Sequence, residues 1–513
     1  MSFKKMNAAL ASLIILFASN AHAEAPTPEN TIKVNAAFEF NSIDPSVSGY
    51  LYTRMQVLET LIDVDADGKL QAGLATSWST SRDGLTWRLQ LRDDVLFHNG
   101  DAMTAKDVVS SLNVAKRKQG PLRSAPIADI SMGDTAQEVV ITLTTPYKVL
   151  GAALAHYSAS ILPAGKYNFE DKLTELVGTG PYKLYEFKPP HKLVVEKFDQ
   201  YWGQMASMPF ASYLTGHRAE ARVLQARSGQ SDIVFGLDPA AAPMLARSNK
   251  VEIIKSKLPR TLVLKVNAAH PYLKEIEARQ ALSMAIERKG ISMAVLRTPD
   301  SATTQLLPPS MSDWHISDAP SLDKNLDKAR ALLEQIGWKR NSDGMFERDG
   351  KPFALRLITY ADRPELTTVA TALQAQWKKL GVDLKVDITN SSAIPAGHQD
   401  GTLNLALIAR NYGFIVDPLL TLIKDFGQES GGDWGSMNWH NPQIQVALKG
   451  LVNENNPDRY RATAQAFAEA VATELPVIPI ASYTQQTSVN KRIEGFRFDP
   501  FERNFYLNKI TIK

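Results

Sequence analysis

Three observations predict an α/β protein of two or three lobes. Strand-like and helix-like segments alternate from residue 32 to residue 512, a pattern that packs helices on mixed sheets. The chain has 513 residues, of which roughly 490 remain once an expected leader is removed, more than one hydrophobic core organises. Charged residues at 22% and hydrophobic ones at 44% are ordinary for a globular fold.

The leader is read from residues 1–23. Lys4 and Lys5 form a basic start, 8–18 is an apolar stretch too short to span a bilayer, and Ala21-His22-Ala23 is a small-x-small cleavage site. The mature chain is expected to begin at Glu24 and to be a soluble, secreted protein. The alternative is an uncleaved anchor. Cysteine is absent, which excludes disulfides, a thiolate metal site and a lipid tether at the cleavage junction. A freely diffusing secreted protein needs an outer barrier to retain it, so a periplasm is expected. Cleavage removes two lysines and no acid, taking the net charge from +3 to +1, too balanced for a nucleic-acid binder.

The elements follow in order. Residues 32–38 read as an opening strand and 55–61 as the helix after it, with Val57, Leu58 and Leu61 inward. Arg82-Asp83-Gly84 is turn chemistry before a strand in which Trp87, Leu89 and Leu91 alternate with polar residues. After the turn at 98–101, Thr104 and Asp107 form an N-cap with an acidic third residue, opening a helix that carries Val108, Val109 and Leu112. Gly178-Thr179-Gly180-Pro181-Tyr182 turns into a strand continued by 192–196. Residues 261–267 form a β-branched, leucine-rich strand. Amphipathic helices are predicted at 279–288, 326–338 and 366–380, with strands at 351–358, 382–388 and 403–408, and a β-rich tail at 510–512. No short-period repeat is present.

Several of these segments carry a resemblance. The run 73–113, the pair Gly178-Thr179-Gly180-Pro181-Tyr182 and Gln200-Tyr201-Trp202-Gly203, the strand entry Gly229 to Val234, and the helix Arg279 to Arg288 are similar to the bacterial extracellular solute-binding protein family 5, the peptide- and nickel-binding components of ABC importers. The resemblance covers nearly the whole mature chain. It implies a two-lobed periplasmic binding protein fold of the large, peptide-binding type, its lobes joined by two hinge crossings, near 260–261 and 482–483. Lobe I is then 24–260 plus 484–513, with an extra subdomain inserted at about 55–175, and lobe II is 261–483.

The cleft between such lobes encloses a small molecule, and three regions supply candidates for its walls. Ala409 to Pro418 follows a buried strand and resembles the family's ligand-contacting loop. Arg410 would fork onto a ligand carboxylate or pair with a surface acid, and Tyr412 would stack on a planar chelate or fill the interface core. Phe414 stands where peptide-binding relatives have an aspartate for the peptide ammonium, and a phenyl ring cannot neutralise that charge. Asp417, before Pro418, is either a contact or simply a turn initiator.

The second region, 431–442, resembles a stretch of the peptide binders; Trp434 and Trp439 would wall the cleft, or Trp439 would anchor the next helix. His440 is a chelate ligand or an N-cap neighbour. On the other lobe Tyr50, Tyr52, His156 and Tyr157 match contact regions, with packing on their own domain as the alternative. His156 would replace an arginine of the nickel-chelate relatives, a role it fills only when protonated.

No zinc-protease, nucleophile-elbow or phosphate-loop motif is present, and nine histidines scattered singly make no metal site by spacing. The expected function is therefore that of a non-enzymatic importer component. It captures a short peptide or peptide-like solute, with a nickel or other metal chelate as the alternative and a periplasmic hydrolase as the remote one. It needs no cofactor unless the ligand itself is a metal chelate. Its expected partners are the solute and the membrane permease, not nucleic acid, and the protein is expected to be a monomer.

Overall fold

A computed structural model describes residues 25–319 and 322–513; the expected signal peptide at 1–23 lies outside the described residues. Ten strands form one mixed sheet that runs through both lobes. From one edge they are Asp383–Thr389, Ala354–Tyr360, Leu405–Asn411, Val251–Val266 and Val477–Asn490. Ile233–Val234, Thr31–Ala36, Phe210–Thr215, Lys192–Lys197 and Tyr182–Lys188 complete it.

The two middle strands, of 16 and 14 residues, pair antiparallel. Lys257 and the residues before it pair with Thr484 onward, on the side where Ile233–Val234 joins the sheet. From Thr261 the partner is Ser482 and the residues before it, on the side of Leu405–Asn411. The register shifts between Lys257 and Thr261. Pro259 lies in that break, where its missing N–H would interrupt a regular ladder.

A second, four-stranded antiparallel sheet stands apart, in the order Ala75–Thr80, Thr86–Leu91, Glu138–Leu143, Ile127–Met132. Thr86–Leu91 alternates as expected, with Trp87, Leu89 and Leu91 buried, and Gly84 takes φ +75° in the turn before it. The helix Ala105–Arg117 opens on the predicted capping box: Asp107 Oδ2 accepts from the Thr104 backbone N–H at 2.9 Å and hydroxyl at 2.7 Å.

The helix expected at 55–61 is Pro45–Arg54 instead. Asp44 Oδ1 accepts from Ser46 N at 2.9 Å, Pro45 presets the first helical turn, and Gln56 at φ +58° ends it. Val57, Leu58 and Leu61 are buried as expected, but in an irregular segment that carries no helical period.

That segment explains two of the motifs. Gly180 N donates to Val57 O and Tyr182 N to Gln56 O, and a Cβ on Gly178 would lie 1.9 Å from Val57 O. The glycines are thus required by backbone-to-backbone approach. Thr179 and Trp202 donate to Glu59 Oε2 at 2.8 and 3.1 Å, and Tyr201 to Oε1 at 2.8 Å. Two motifs some twenty residues apart therefore converge on one carboxyl, whose burial pushes its pKa up to about 7.

The tail returns to the opening strands. Ile493, Phe505, Leu507 and Ile510 join the core of Ile32, Val34 and Tyr213, and the Asn508 amide and backbone clasp the Gln56 side chain. Only Thr511–Ile512 is strand, paired with Ile493–Glu494.

Candidate functional site

A cavity of about 600 Å³ lies beside the register break. Phe38, Arg54, Phe235, Phe505, Tyr360, Arg363 and Trp434 line it. Arg260 and Tyr483 reach it from the two long strands.

Local sequence fixes each of these side chains. Arg54 ends the helix Pro45–Arg54; its Nε donates to Glu502 O at 2.5 Å and its guanidinium lies over the rings of Phe38 and Tyr50. Arg363 caps the helix Pro364–Leu380, donates to Tyr483 Oη at 3.1 Å and rests against the Tyr483 ring. Trp434 stands in a glycine-rich loop pinned from below. Lys265, wholly buried in a long strand, donates to the carbonyls of Gly432, Gly435 and Ser436 at 2.7, 3.0 and 3.2 Å. Burial pushes the Lys265 ammonium down to about 7. The Trp434 ring meets Tyr360 edge-on at 6.3 Å.

Glu502 is the carboxylate at the centre. Its Oε2 accepts from Arg260 Nη2 at 2.5 Å and from Asn411 Nδ2 at 2.8 Å. Burial raises its pKa, but Arg260, Arg54 and Arg363 outweigh that and hold it below the ordinary carboxylate range. The same burial lowers Arg260, whose side chain is 1% exposed.

The structure brings together some of the sequence-predicted residues and disperses others. Arg410, Phe414 and Trp434 line the cavity. Tyr50, Tyr157 and Phe414 meet at a small adjoining recess, with Tyr50 edge-on to Tyr157 at 6.1 Å. Arg410, however, is already engaged: Nε and Nη2 fork onto Asp425 at 2.6 and 2.9 Å. It pairs with a buried acid instead of the expected surface one.

Tyr412 is 1% exposed and lines no part of the cavity; its ring packs into the core and its backbone N–H bonds to Pro259 O. Tyr52 is likewise buried, its hydroxyl donating to Ser42 O. Because the helix begins at Pro45, Tyr50 and Tyr52 fall within it, two residues apart and on different faces. His156 is buried, bonded to Ser158 and packed at a tilt against the Tyr157 ring, centroids 3.9 Å apart. Desolvation, then Arg503, lowers its pKa to about 3, so it stays neutral and does not replace an arginine.

The remaining three lie outside this cavity, and Asp417 stands on the wall of a second one of about 1080 Å³. Asp417 accepts from Leu419 N at 2.9 Å and from the Tyr460 hydroxyl at 3.1 Å, a turn-initiating role away from this cavity. Trp439 is buried, with Nε1 bonded to Glu474 Oε2 at 2.5 Å. His440 is exposed beside Glu429, next to the N-cap Asn441. No cluster of three or more metal-ligating side chains occurs among the described residues.

Sequence reasoning missed Arg54, Arg260, Arg363 and Glu502. Only Arg260 carried a signal: it and Lys265 are the charges inside the apolar run 258–266, and a charge in a buried strand needs a reason. Glu502 lies far along the chain in a segment with no periodicity to point it inward.

The family model "Bacterial extracellular solute-binding proteins, family 5 Middle" matches residues 69–430. The nickel-binding periplasmic protein of Escherichia coli (strain K12) is 27% identical over 417 residues, covering 77% of this chain and 78% of that one. Oligopeptide-binding protein AppA of Bacillus subtilis (strain 168) is 23% identical over 492 residues, 92% of this chain and 88% of its own. Among solved structures, NikA from Brucella suis in complex with Fe(III)-EDTA superposes with a TM-score of 0.84 at 21% identity, covering 94% of this chain and all of the other. AppA from Bacillus subtilis in complex with a nonapeptide does so with 0.78 at 20%, covering 95% and 100%. No helix among the described residues is long and apolar enough to cross a membrane.

Proposed function

The chain belongs to the bacterial extracellular solute-binding proteins of family 5, and we propose that it is the periplasmic substrate-binding component of an ABC importer, capturing a short peptide or peptide-like solute between its lobes. The observation that carries this is the cavity of about 600 Å³ lined from both lobes and from the two strands that join them. Its size suits a small solute, its rings supply apolar area, and its charged groups fix orientation. We take 24–260 with 484–513 as one lobe and 261–483 as the other, hinged where the paired strands lose register. Closure buries the solute, and the differential affinity of the open and closed forms is the whole mechanism. The closed form, a monomer, docks on the membrane permease, and the solute leaves chemically intact.

A metal chelate is the second reading, favoured by one feature beside the names of the nickel-binding relatives. His217 lies on the cavity wall with Nδ1 3.0 Å from Glu39 Oε1. A carboxylate on Nδ1 orients an imidazole whose other nitrogen can ligate a metal. A metal arriving as a chelate brings most of its own ligands.

The test is mass spectrometry of the solute that co-purifies, with and without added nickel, followed by incubation with a peptide mixture. A binder returns its solute unchanged with a raised melting temperature. Fragments of the peptides would replace the importer reading with a hydrolase.

A further inference from the structure

We propose that the Lys148 side chain is a rear clasp across the hinge: seated on Tyr460 behind the two long strands, it holds the lobes apart at the solute cavity and so sets how tightly a solute is bound. This deepens the importer reading and rests on it, lobe division included.

The two long strands carry a cavity on each face. Side chains alternate along a strand, so Tyr483 and Gln485 point to one face and Ser482 and Thr484 to the other. Tyr483 and Gln485, with Arg260, line the cavity of about 600 Å³. Ser482 and Thr484, with Pro259, line the cavity of about 1080 Å³, and Tyr483 borders both. On the proposed division Gly68 and Ala152 reach the larger cavity from one lobe, and Met311, Trp314 and Val416 from the other. Two bodies that turn about one pair of strands narrow the gap on one face as they widen it on the opposite face. A contact across the rear gap therefore opposes closure at the front.

Lys148 makes such a contact. Its Nζ lies 3.6 Å from the centroid of the Tyr460 ring, and its backbone N–H donates to Val452 O at 2.8 Å. Lys148 falls in the inserted subdomain of one lobe, and both partners fall in the other lobe. The seat is rigid without it. Tyr460 is 3% exposed, its hydroxyl donates to the Asp417 carboxylate at 3.1 and 3.2 Å, and its ring meets Trp314 edge-on at 5.8 Å. Lys148 also acts electrostatically on the carboxylates of Asp417 and Glu454, both on the Tyr460 lobe. An ammonium over a phenol ring is an attractive pair, yet Lys148 is exposed and supports no core. It therefore bears on the relative position of the lobes and not on the stability of either.

A solute that binds the closed form is held more weakly when that form is scarce. Weakening the clasp thus tightens binding, the reverse of what losing a solute contact or core packing does.

The chain has no cysteine, so a pair can be introduced for labelling. Leu224→Cys and Ile388→Cys, exposed and on opposite lobes, report the front gap by spin-label distances in solute-stripped protein. The closed-to-open ratio is expected to rise at least threefold in Lys148→Ala, and further in Lys148→Glu, which sets a like charge against Asp417 and Glu454. Lys148→Arg, which keeps a cation over the ring, is expected to match the wild type. Calorimetric titration with nickel–L-histidine or trialanine, whichever the wild type binds, is expected to give affinities in the same order. Two populations whose ratio is unchanged, or shifted toward the open form, in Lys148→Ala would overturn the clasp and leave the importer reading intact. A single distance in all four proteins would overturn the clasp together with the hinged lobes it rests on.

Discussion

Replacing Arg410 by methionine separates a structural role from a ligand role. The guanidinium forks onto Asp425 at 2.6 and 2.9 Å, with Arg410 18% and Asp425 1% exposed. No other side chain among the described residues donates a hydrogen bond to that carboxylate, so Arg410→Met strands a buried acid. Breaking one side of a buried pair costs about 3–5 kcal/mol, against about 0.5 kcal/mol for a surface change. Arg410→Met with Asp425→Leu should recover most of the loss, since an apolar pair of similar volume is close to neutral. Urea unfolding followed by tryptophan fluorescence measures each arm of the cycle.

The loss should also depend on pH. Burial already pushes the Asp425 carboxyl up from its ordinary value, with Arg410 opposing it. Without the guanidinium the folded state binds a proton that the unfolded chain, with a carboxyl near 3.9, has released at neutral pH. Stability of the variant therefore falls as pH rises, and its deficit is smaller at pH 5.5 than at pH 8. A single variant that unfolds with the wild type at both pH values, yet loses solute, would refute the reasoning.

Three further outcomes follow from the site and its surroundings. Trp434→Ala should weaken solute binding at least tenfold, about 1.4 kcal/mol, by calorimetry, while Trp439→Phe, which removes one donor from Glu474 and leaves that of Asn441, should cost about 1 kcal/mol of stability and leave affinity unchanged. Tyr412→Ala should behave as a core truncation, costing about 3–5 kcal/mol in unfolding experiments, with affinity retained where the variant is folded. Because the Glu59 carboxyl is raised from 4.5 to about 7, its contribution to stability falls as pH rises through that window. Glu59→Gln should thus gain on the wild type from pH 5 to pH 8 in thermal melts, and a constant difference would count against the raised carboxyl.

How far the sequence was legible depended on how local the cause was. Thr86–Leu91 and the capping box at Thr104 are set by neighbours within a few residues, and the structure has them as read. The helix expected at 55–61 begins ten residues earlier, at Pro45, because Asp44 and Pro45 set its start, while the apolar residues at 57, 58 and 61 are buried without being helical. Trp434 was reached only through the resemblance of 431–442 to the peptide binders, and it lines the cavity. Tyr412 was reached through a resemblance too, but its ring packs into the core, and its backbone bonds to Pro259, over 150 residues away along the chain. The arginine cluster was illegible for that reason: helix end, strand, helix cap and tail each supply one group, and only the folded chain sets them side by side.

Lys265 gives the aromatic wall an unusual foundation. A single ammonium gathers three main-chain carbonyls of the Trp434 loop and fastens them to the same strand that carries Arg260. The loop is ordered when the polypeptide folds, so a visiting molecule meets a surface already set and does not have to freeze it. The shape of the aromatic wall thus traces back to one lysine in the strand behind it.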